Sequence, residues 1–543
     1  MKKLQYRGTA AKVTNGFLAV VLACLLGMGC SKSDDSAPAT SSDDGGGTTD
    51  DEPGQIFNGP TYPDNYTPIS SWANRSQWNL ANVHDPSIVK DGDYWYMYQT
   101  DASYGNAHEG HGHFHCRRSR DLITWEYMGA TMNNEATWVK DAINAKRAVE
   151  GRAPIQNITY GYWAPCVRKV GNKFRMYYSI INDAEIEGTD PNTSWGEEAY
   201  IGLMETTSLA SNQWEDKGAV IWQVPDGAVN YTRNGGNDWN AYYKFNAIDP
   251  SYIVTPQGEH WLIYGSWHTG MAAVQVDPAT GKPSQLNSVA DFGTRIAGRG
   301  NVNTNRWQAL EGPEIIYNEA TGYYYLFLAY DELSIAYNTR VARSRSITGP
   351  YLGINGQDVT AGAECWPMLT HPYAFAGHTG WVGISHCAVI KDDTTGKWYF
   401  SSQGRLPTDA TGINAPNAVM MGQVREMFWT ADGWPVVSPE RYAGVPQIDI
   451  TPASLAGRYE VITMNYAYQE RQRSLIVTLG VNGSLSGAMT GTWSYDNTTR
   501  SVLLNGRECK VSNGWDWEAS PRKATITFTG LTADGKPIWG KKI

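Results

Sequence analysis

The chain has 543 residues, a formal net charge of −10 and 18% charged residues, with no Lys/Arg block after its N-terminal region. A polyanionic partner such as nucleic acid needs a basic stripe to neutralise its phosphates, so that class of partner is excluded. Seven cysteines without CxxC spacing show neither a zinc motif nor a disulfide scaffold and predict no essential disulfide.

In chain order, a basic start (Lys2, Lys3, Arg7, Lys12) leads into the apolar run Gly16 to Gly29. This is too short and wrongly flanked for a spanning helix and predicts a signal peptide over residues 1–29. Gly-Met-Gly-Cys30, followed by Asp34 and Asp35, resembles a bacterial lipoprotein cleavage site with the acidic pair of surface-exported Gram-negative lipoproteins. Gly27 stands where such sites usually carry Leu, and Val21-Leu22-Ala23-Cys24 matches them better locally. Cys30 is preferred, because cutting at Cys24 would leave Leu25, Leu26 and Met28 on the mature terminus. Residues 30–57, rich in Ser, Thr, Asp and Gly, cannot bury enough apolar surface to fold and read as a lipidated tether. The expected location is the outer membrane, at the cell surface, with the lipid as the only membrane contact.

The length allows two to four domains, and internal repeats decide the fold. Five stretches share a polar or Pro-containing start, alternating hydrophobics, a turn and an aromatic strand: HDPSIVKDGDYWYMYQTD from His84, APCVRKVGNKFRMYYS from Ala164, DPSYIVTPQGEHWLIYGSW from Asp249, EGPEIIYNEATGYYYLFLAYD from Glu311 and HCAVIKDDTTGKWYFSSQG from His386. Their starts lie roughly 60 to 85 residues apart, consistent with four-stranded propeller blades carrying long loops. The turns at Asp91-Gly92, Gly171-Asn172 and Thr395-Gly396 are of hairpin type. The predicted fold is all-β, a five-bladed β-propeller over residues 58–444. A 12% aromatic content, with 22 Trp and 32 Tyr, suits such strands and the flat-ring binding of sugars. From residue 445 to 543, short alternating strands with Asn-Gly and Asp-Gly turns predict a small antiparallel barrel without chemistry of its own.

In a propeller the first residues of the innermost strands converge on one end of the central channel, so Asp85, Ala164, Asp249, Glu311 and His386 are expected to meet there. Glycoside hydrolysis needs one carboxylic acid and one carboxylate, and a third like charge raises the pKa of the acid. Glu314 is a rival to Glu311. It lies three positions on, and strand alternation sends the two to opposite faces, so only one can enter the pocket. Gly161, Trp163, Asn246, Ser266, Trp267 and His268 follow or flank repeat starts and are candidates to line sugar subsites. Alternation puts His111, His113 and His115 on one strand face, where with His108 they could hold zinc; a strand edge at the pocket rim is the favoured reading.

The motifs HDPSI, NAIDPS and EGPEI, with the element Gly-Tyr-Trp-Ala-Pro over residues 161–165, resemble glycoside hydrolase family 43, and within it the extracellular arabinanases, from about His84 to Gly444. The C-terminal segment resembles the lipocalin-like module that follows the propeller in some of these enzymes. The resemblance implies Asp85 as general base, Glu311 as general acid and Asp249 as the residue that tunes and orients Glu311. It also implies an inverting displacement with acid and base roughly 6.5–9.5 Å apart. His386 is implied to sit beside a hydrated calcium ion, although a lone imidazole is an odd ligand for an oxygen-seeking cation; a channel His bonded to a carboxylate is the other reading.

The expected activity is endo-hydrolysis of α-1,5-L-arabinan in plant cell walls by a monomer. The alternatives are an exo-acting arabinofuranosidase or β-xylosidase, or a non-catalytic surface glycan binder, against which the gathering of three mutually repelling acids speaks.

Overall fold

The computed structural model describes residues 57–149, 151, 153–156, 160–182, 199–224, 244–267, 270–300, 309–410 and 419–543. The expected signal peptide, both candidate lipidation cysteines and the tether up to residue 56 lie outside them, as does His268.

Five four-stranded antiparallel sheets follow one another, each with its strands in sequence order. Blade 1 is Ser87–Asp91, Tyr94–Tyr98, His113–Ser119 and Glu126–Met132; blade 2 is Tyr160–Val170, Lys173–Asn182, Ala199–Thr206 and Glu215–Trp222. Blade 3 is Ser251–Val254, His260–Tyr264, Met271–Val276 and Thr294–Ala297. Blade 4 is Leu310–Asn318, Tyr323–Tyr330, Asn338–Ser344 and Met368–Thr370; blade 5 is Ala388–Lys391, Trp398–Gly404, Met421–Trp429 and Pro435–Val437. Two-residue turns at Gly92-Asp93 and Gly171-Asn172 close the first hairpins of blades 1 and 2.

The aromatic second strands are explained by blade stacking. A strand inside a propeller has a neighbouring blade on each face, so alternate side chains enter two different cores. Tyr96 and Tyr98 pack with Val167, Met176 and Tyr178 of blade 2, while Trp95 and Met97 pack with Ile390, Tyr399 and Val424 of blade 5. In blade 4, Leu326, Leu328 and Tyr330 meet Ile263 and Met271 of blade 3, whereas Tyr325 and Phe327 meet Val389 and Phe400 of blade 5. Each fully buried large side chain contributes roughly 1.5–3 kcal/mol, and the second strands of blades 1, 4 and 5 are buried along almost their whole length.

Residues 457–542 form a closed eight-stranded antiparallel barrel in which Gly457–Thr463 pairs with both Leu475–Leu479 and Pro537–Lys542. Its interior is filled by Tyr459, Val461, Leu479, Trp493, Val511 and Phe528. The barrel also shares core with the propeller, since Ile462, Met464 and Trp539 belong to the same buried cluster as Trp78, Trp381 and Tyr399. Asp64, in the segment before blade 1, joins both parts, accepting from Arg441 at 2.5 Å and from Arg522 of the barrel at 3.0 Å. The five described cysteines are buried free thiols.

Candidate active site

The first residues of the five repeats share one backbone feature. Asp85, Ala164, Asp249, Gly312 and His386 all have left-handed backbone, with φ between 43° and 55°. Four of the five are not glycine, and four precede proline. Non-glycine residues in this region are strained and persist where their surroundings over-determine them, often at functional sites. The equivalent position in blade 4 is thus Gly312, and Glu311 stands one residue before the kink. Glycine is required there, because a Cβ at Gly312 would lie 2.9 Å from the ring of His386.

The structure brings Asp85, Asp249, Glu311 and His386 into one buried electrostatic cluster. Asp85 Oδ1 lies 3.0 Å from His386 Nδ1 and 3.3 Å from His84 Nε2, and its Oδ2 accepts from Thr100 Oγ1 at 2.7 Å. Burial alone would raise its pKa, but His386, His84 and Thr100 outweigh it and hold the carboxyl well below the usual range. For His386, burial disfavours the charged form, yet Asp85, Asp249 and Glu311 together push its pKa up to about 9.

Glu311 behaves in the opposite way. Its Oε2 accepts from Ser266 Oγ at 3.0 Å and from Trp267 Nε1 at 2.7 Å, and Tyr337 OH donates to Oε1. Those donors and His386 favour the carboxylate, but burial dominates and the pKa is raised. Asp249 is pushed up to about 7, first by burial and then by the charges of Glu311 and Asp85. Its Oδ2 accepts from Gly312 N at 3.1 Å, so it grips the backbone beside Glu311. One carboxyl is kept ionised and two share a site that favours holding a proton, the division that acid-base chemistry at one bond requires.

Glu314 lies elsewhere in the fold's logic. Counted from the proline it occupies the place of Ser87 and Ser251 in the two Asp-Pro-Ser starts, and it does their work. Ser87 Oγ accepts from Val167 N of blade 2, Ser251 Oγ from Ile315 N of blade 4, and Glu314 Oε1 from Val389 N of blade 5. Its carboxylate also receives Arg168 Nη2 at 2.6 Å and Ser251 Oγ at 2.8 Å. A register shift between Glu311 and Glu314 separates the two, so a bulge rather than plain alternation parts the pocket residue from the structural one.

A second ring of contacts was not legible from the motifs. The polar residue ending a blade's second strand binds the start of a neighbour: Thr100 Oγ1 accepts from Ala164 N, Ser179 Oγ from Asp249 N and Gln403 Oε1 from Asp85 N. In blade 3 the equivalent position is Gly265, and Ser266, one residue on, donates to the Glu311 carboxyl instead. Aligning the ends of the second strands, and not only the starts of the first, would have exposed it.

Among the residues expected to line subsites, Ser266 and Trp267 hold the Glu311 carboxyl. Asn246 receives the Gln223 amide, three residues before Asp249. Trp163 is half-buried one residue before the kink at Ala164, and a Cβ on Gly161 would collide with its indole. Each of the four histidine rings near blade 1 is engaged: His111 stacks on Trp72 at 3.7 Å, His108 on His115 at 4.0 Å, and His113 Nδ1 meets Asp101 Oδ2 at 2.5 Å. His108 and His115 are buried against Trp78 and Trp72, while His111 is exposed.

The residues around His386 do not fit a calcium cage. They offer one nitrogen, already facing Asp85, and the carboxyls of Asp85, Asp249 and Glu311, already engaged by Thr100, Gly312 N, Ser266 and Trp267, where calcium takes six to eight free oxygens. The carboxyls around His386 favour its charged form, in which it offers them positive charge. Among the described residues, the acidic oxygens that gather within 4.8 Å are those of Glu440, Asp516 and Glu518, and Lys541 Nζ fills their centre at 2.6 to 3.0 Å.

Residues 80–435 match the family Glycosyl hydrolases family 43, and residues 439–540 match a C-terminal lipocalin-like domain. The extracellular endo-α-(1→5)-L-arabinanase 2 of Bacillus subtilis is 25% identical over 497 residues, spanning 88% of this chain and 96% of that protein. The extracellular exo-α-(1→5)-L-arabinofuranosidase ArbA of Cellvibrio japonicus is 26% identical over 374 residues, 66% of this chain and 86% of its own. Among solved structures, the endo-1,5-α-L-arabinanase from Thermotoga petrophila superposes with a TM-score of 0.64 at 23% identity, covering 86% of this chain and 99% of that one; at this identity the likeness concerns fold. With both segments of the chain matched and the carboxylates gathered in one pocket, the protein belongs to glycosyl hydrolases family 43.

Proposed function

We propose that the protein is an endo-acting α-1,5-L-arabinanase that cleaves with inversion, Asp85 activating water and Glu311 protonating the leaving oxygen. The observation that carries this reading is the opposed environment of the two carboxyls, one held low by two histidines and a threonine, the other raised by burial. Asp249 acts on Glu311 through Gly312 and through charge. The similarity to endo-arabinanases along nearly their whole length supports arabinan as substrate.

Export and lipid anchoring at the cell surface extend the reading to the N-terminal segment and are supported by its signal-like sequence and by relatives named extracellular. The calcium expectation carries over only as a hydrated ion held through water, and neither proton transfer requires it. Dialysis against EDTA followed by assay checks this: retained activity matches a displacement carried by Asp85 and Glu311 without the ion, and loss restored by calcium alone would require it.

The test of function is incubation of the protein, and of Asp85→Ala, with linear and branched arabinan and with xylan. Early mixed arabino-oligosaccharides, absent with the variant, are expected. Monosaccharide alone would move the reading to exo action, and binding without cleavage would leave a glycan binder.

A further inference from the structure

The barrel meets the outermost strands of blades 4 and 5, where Met368 N donates to Gly535 O at 3.1 Å and Thr529 Oγ1 to Val437 O at 2.7 Å. The segment joining its first two strands, residues 464–474, lies on the propeller face where the five blade starts open. Topology fixes this placement. The innermost strand of each blade runs away from that face, so the connection from second to third strand returns to it, as does the connection from outermost strand to the next blade.

Three such connections receive the barrel segment. Tyr466 OH donates to Asp331 Oδ2 at 3.0 Å and Gln469 Nε2 to Glu332 Oε1 at 2.9 Å, both in the blade 4 connection that ends at Tyr337, the partner of Glu311. Ala467 N donates to His371 Nε2 at 3.3 Å, and Gln472–Arg473 pairs in parallel with Tyr373–Ala374, on the way from blade 4 to blade 5. Arg471 binds Asp409 Oδ2 at 2.5 Å in the corresponding connection of blade 5.

Between these anchors stands Tyr468, 55% exposed, and no other Phe, Trp or Tyr among the described residues is exposed. With Ala467 and Gln469 both tied to the propeller, the ring is presented at little further ordering entropy. A phenol offers a flat apolar face with a polar tip, suited to a sugar ring.

We propose that Tyr468 is an outer sugar-binding position of the catalytic cleft, supplied by the C-terminal barrel, on which an arabinofuranose distal to the cleaved bond stacks. This rests on the arabinan reading. A polymer reaches the position and a short oligosaccharide held at the acid and base does not, so the barrel confers preference for long chains.

The experiment compares kcat/KM on linear arabinan and on arabinotriose for the wild type, Tyr468→Ala, Tyr468→Trp and Val481→Ala, the last at a 93% exposed barrel turn. The polymer-to-trisaccharide ratio is expected to fall about three- to tenfold in Tyr468→Ala, through KM, to recover in Tyr468→Trp and to stay unchanged in Val481→Ala. On a Glu311→Gln background, arabinohexaose affinity measured by calorimetry should fall similarly with Tyr468→Ala. An unchanged ratio and affinity, while the wild type cleaves arabinan, would overturn the assignment of Tyr468 alone. A wild type that neither binds nor cleaves arabinan would overturn the arabinan reading as well.

Discussion

Thr100 Oγ1 donates its single proton to Asp85 Oδ2 at 2.7 Å while accepting Ala164 N–H at 2.7 Å. Because the amide can only donate, the hydroxyl proton must point at the carboxylate, and the rotamer of the base is locked by the neighbouring blade. Thr100→Val keeps the shape and removes both bonds. A hydrogen bond to a charged group is worth about 1.5–3 kcal/mol, so kcat is expected to fall about 10- to 100-fold. Steady-state kinetics beside a circular dichroism melt separates this from loss of fold.

Glu311 and Glu314 should respond in opposite ways to the same change. Glu311→Gln removes the proton donor and is expected to abolish turnover with the melting temperature nearly unchanged. Glu314→Ala leaves Arg168, Ser251 and Val389 N without their shared partner and is expected to destabilise by about 3–5 kcal/mol, measured by denaturant unfolding. A Glu314 variant that is stable and inactive would reverse the assignment.

Asp249 sets the alkaline limb. Pushed up to about 7 by burial and by the neighbouring carboxylates, it shares with Glu311 a site where a second negative charge is resisted. Replacing it with Asn removes the like charge, so Glu311 gives up its proton more readily. In Asp249→Asn the alkaline limb of the kcat profile is expected to move toward lower pH by about one unit, with reduced kcat. A limb that stays in place or moves upward would contradict the tuning role.

The fold was legible because each blade repeats one pattern and because continuous hydrophobic runs such as Tyr323 to Tyr330 make sense only with neighbours on both faces. Asp85 and Asp249 were legible for the same reason, their Asp-Pro-Ser starts recurring in register. Glu311 was harder to place, since its offset from the proline depends on a bulge and on a glycine forced by the His386 ring, neither of which periodicity reveals. Thr100, Ser179 and Gln403 escaped notice because their partners lie 64 to 318 residues away in sequence. The barrel segment at 464–474 has no motif at all. Its importance comes from which propeller connections it touches.

Asp64 ties the segment before blade 1 to both Arg441 and Arg522, with His378 Nε2 at 3.5 Å. Burial would raise its pKa, but Arg441, His378 and Arg522 outweigh that and hold it well below the ordinary value. A depressed carboxyl contributes stability that is present above its unfolded pKa, about 4, and is lost as pH falls toward the folded value. Asp64→Ala leaves Arg441, 3% exposed, uncompensated and is expected to cost about 3–5 kcal/mol near neutral pH. Thermal melts at pH 7 and pH 3 check both parts, the difference between wild type and variant shrinking at the lower pH.

In the proposed reaction, Asp85 takes a proton from a water whose oxygen bonds to the anomeric carbon while the glycosidic C–O bond breaks and Glu311 protonates the leaving oxygen, so every cut inverts that carbon. Proton NMR of the first-formed reducing ends during hydrolysis of linear α-1,5-arabinan reads that inversion. The β-anomer is expected to appear first and then equilibrate, with no signal from Asp85→Ala; initial release of the α-anomer would mean a covalent intermediate and overturn the roles assigned to Asp85 and Glu311.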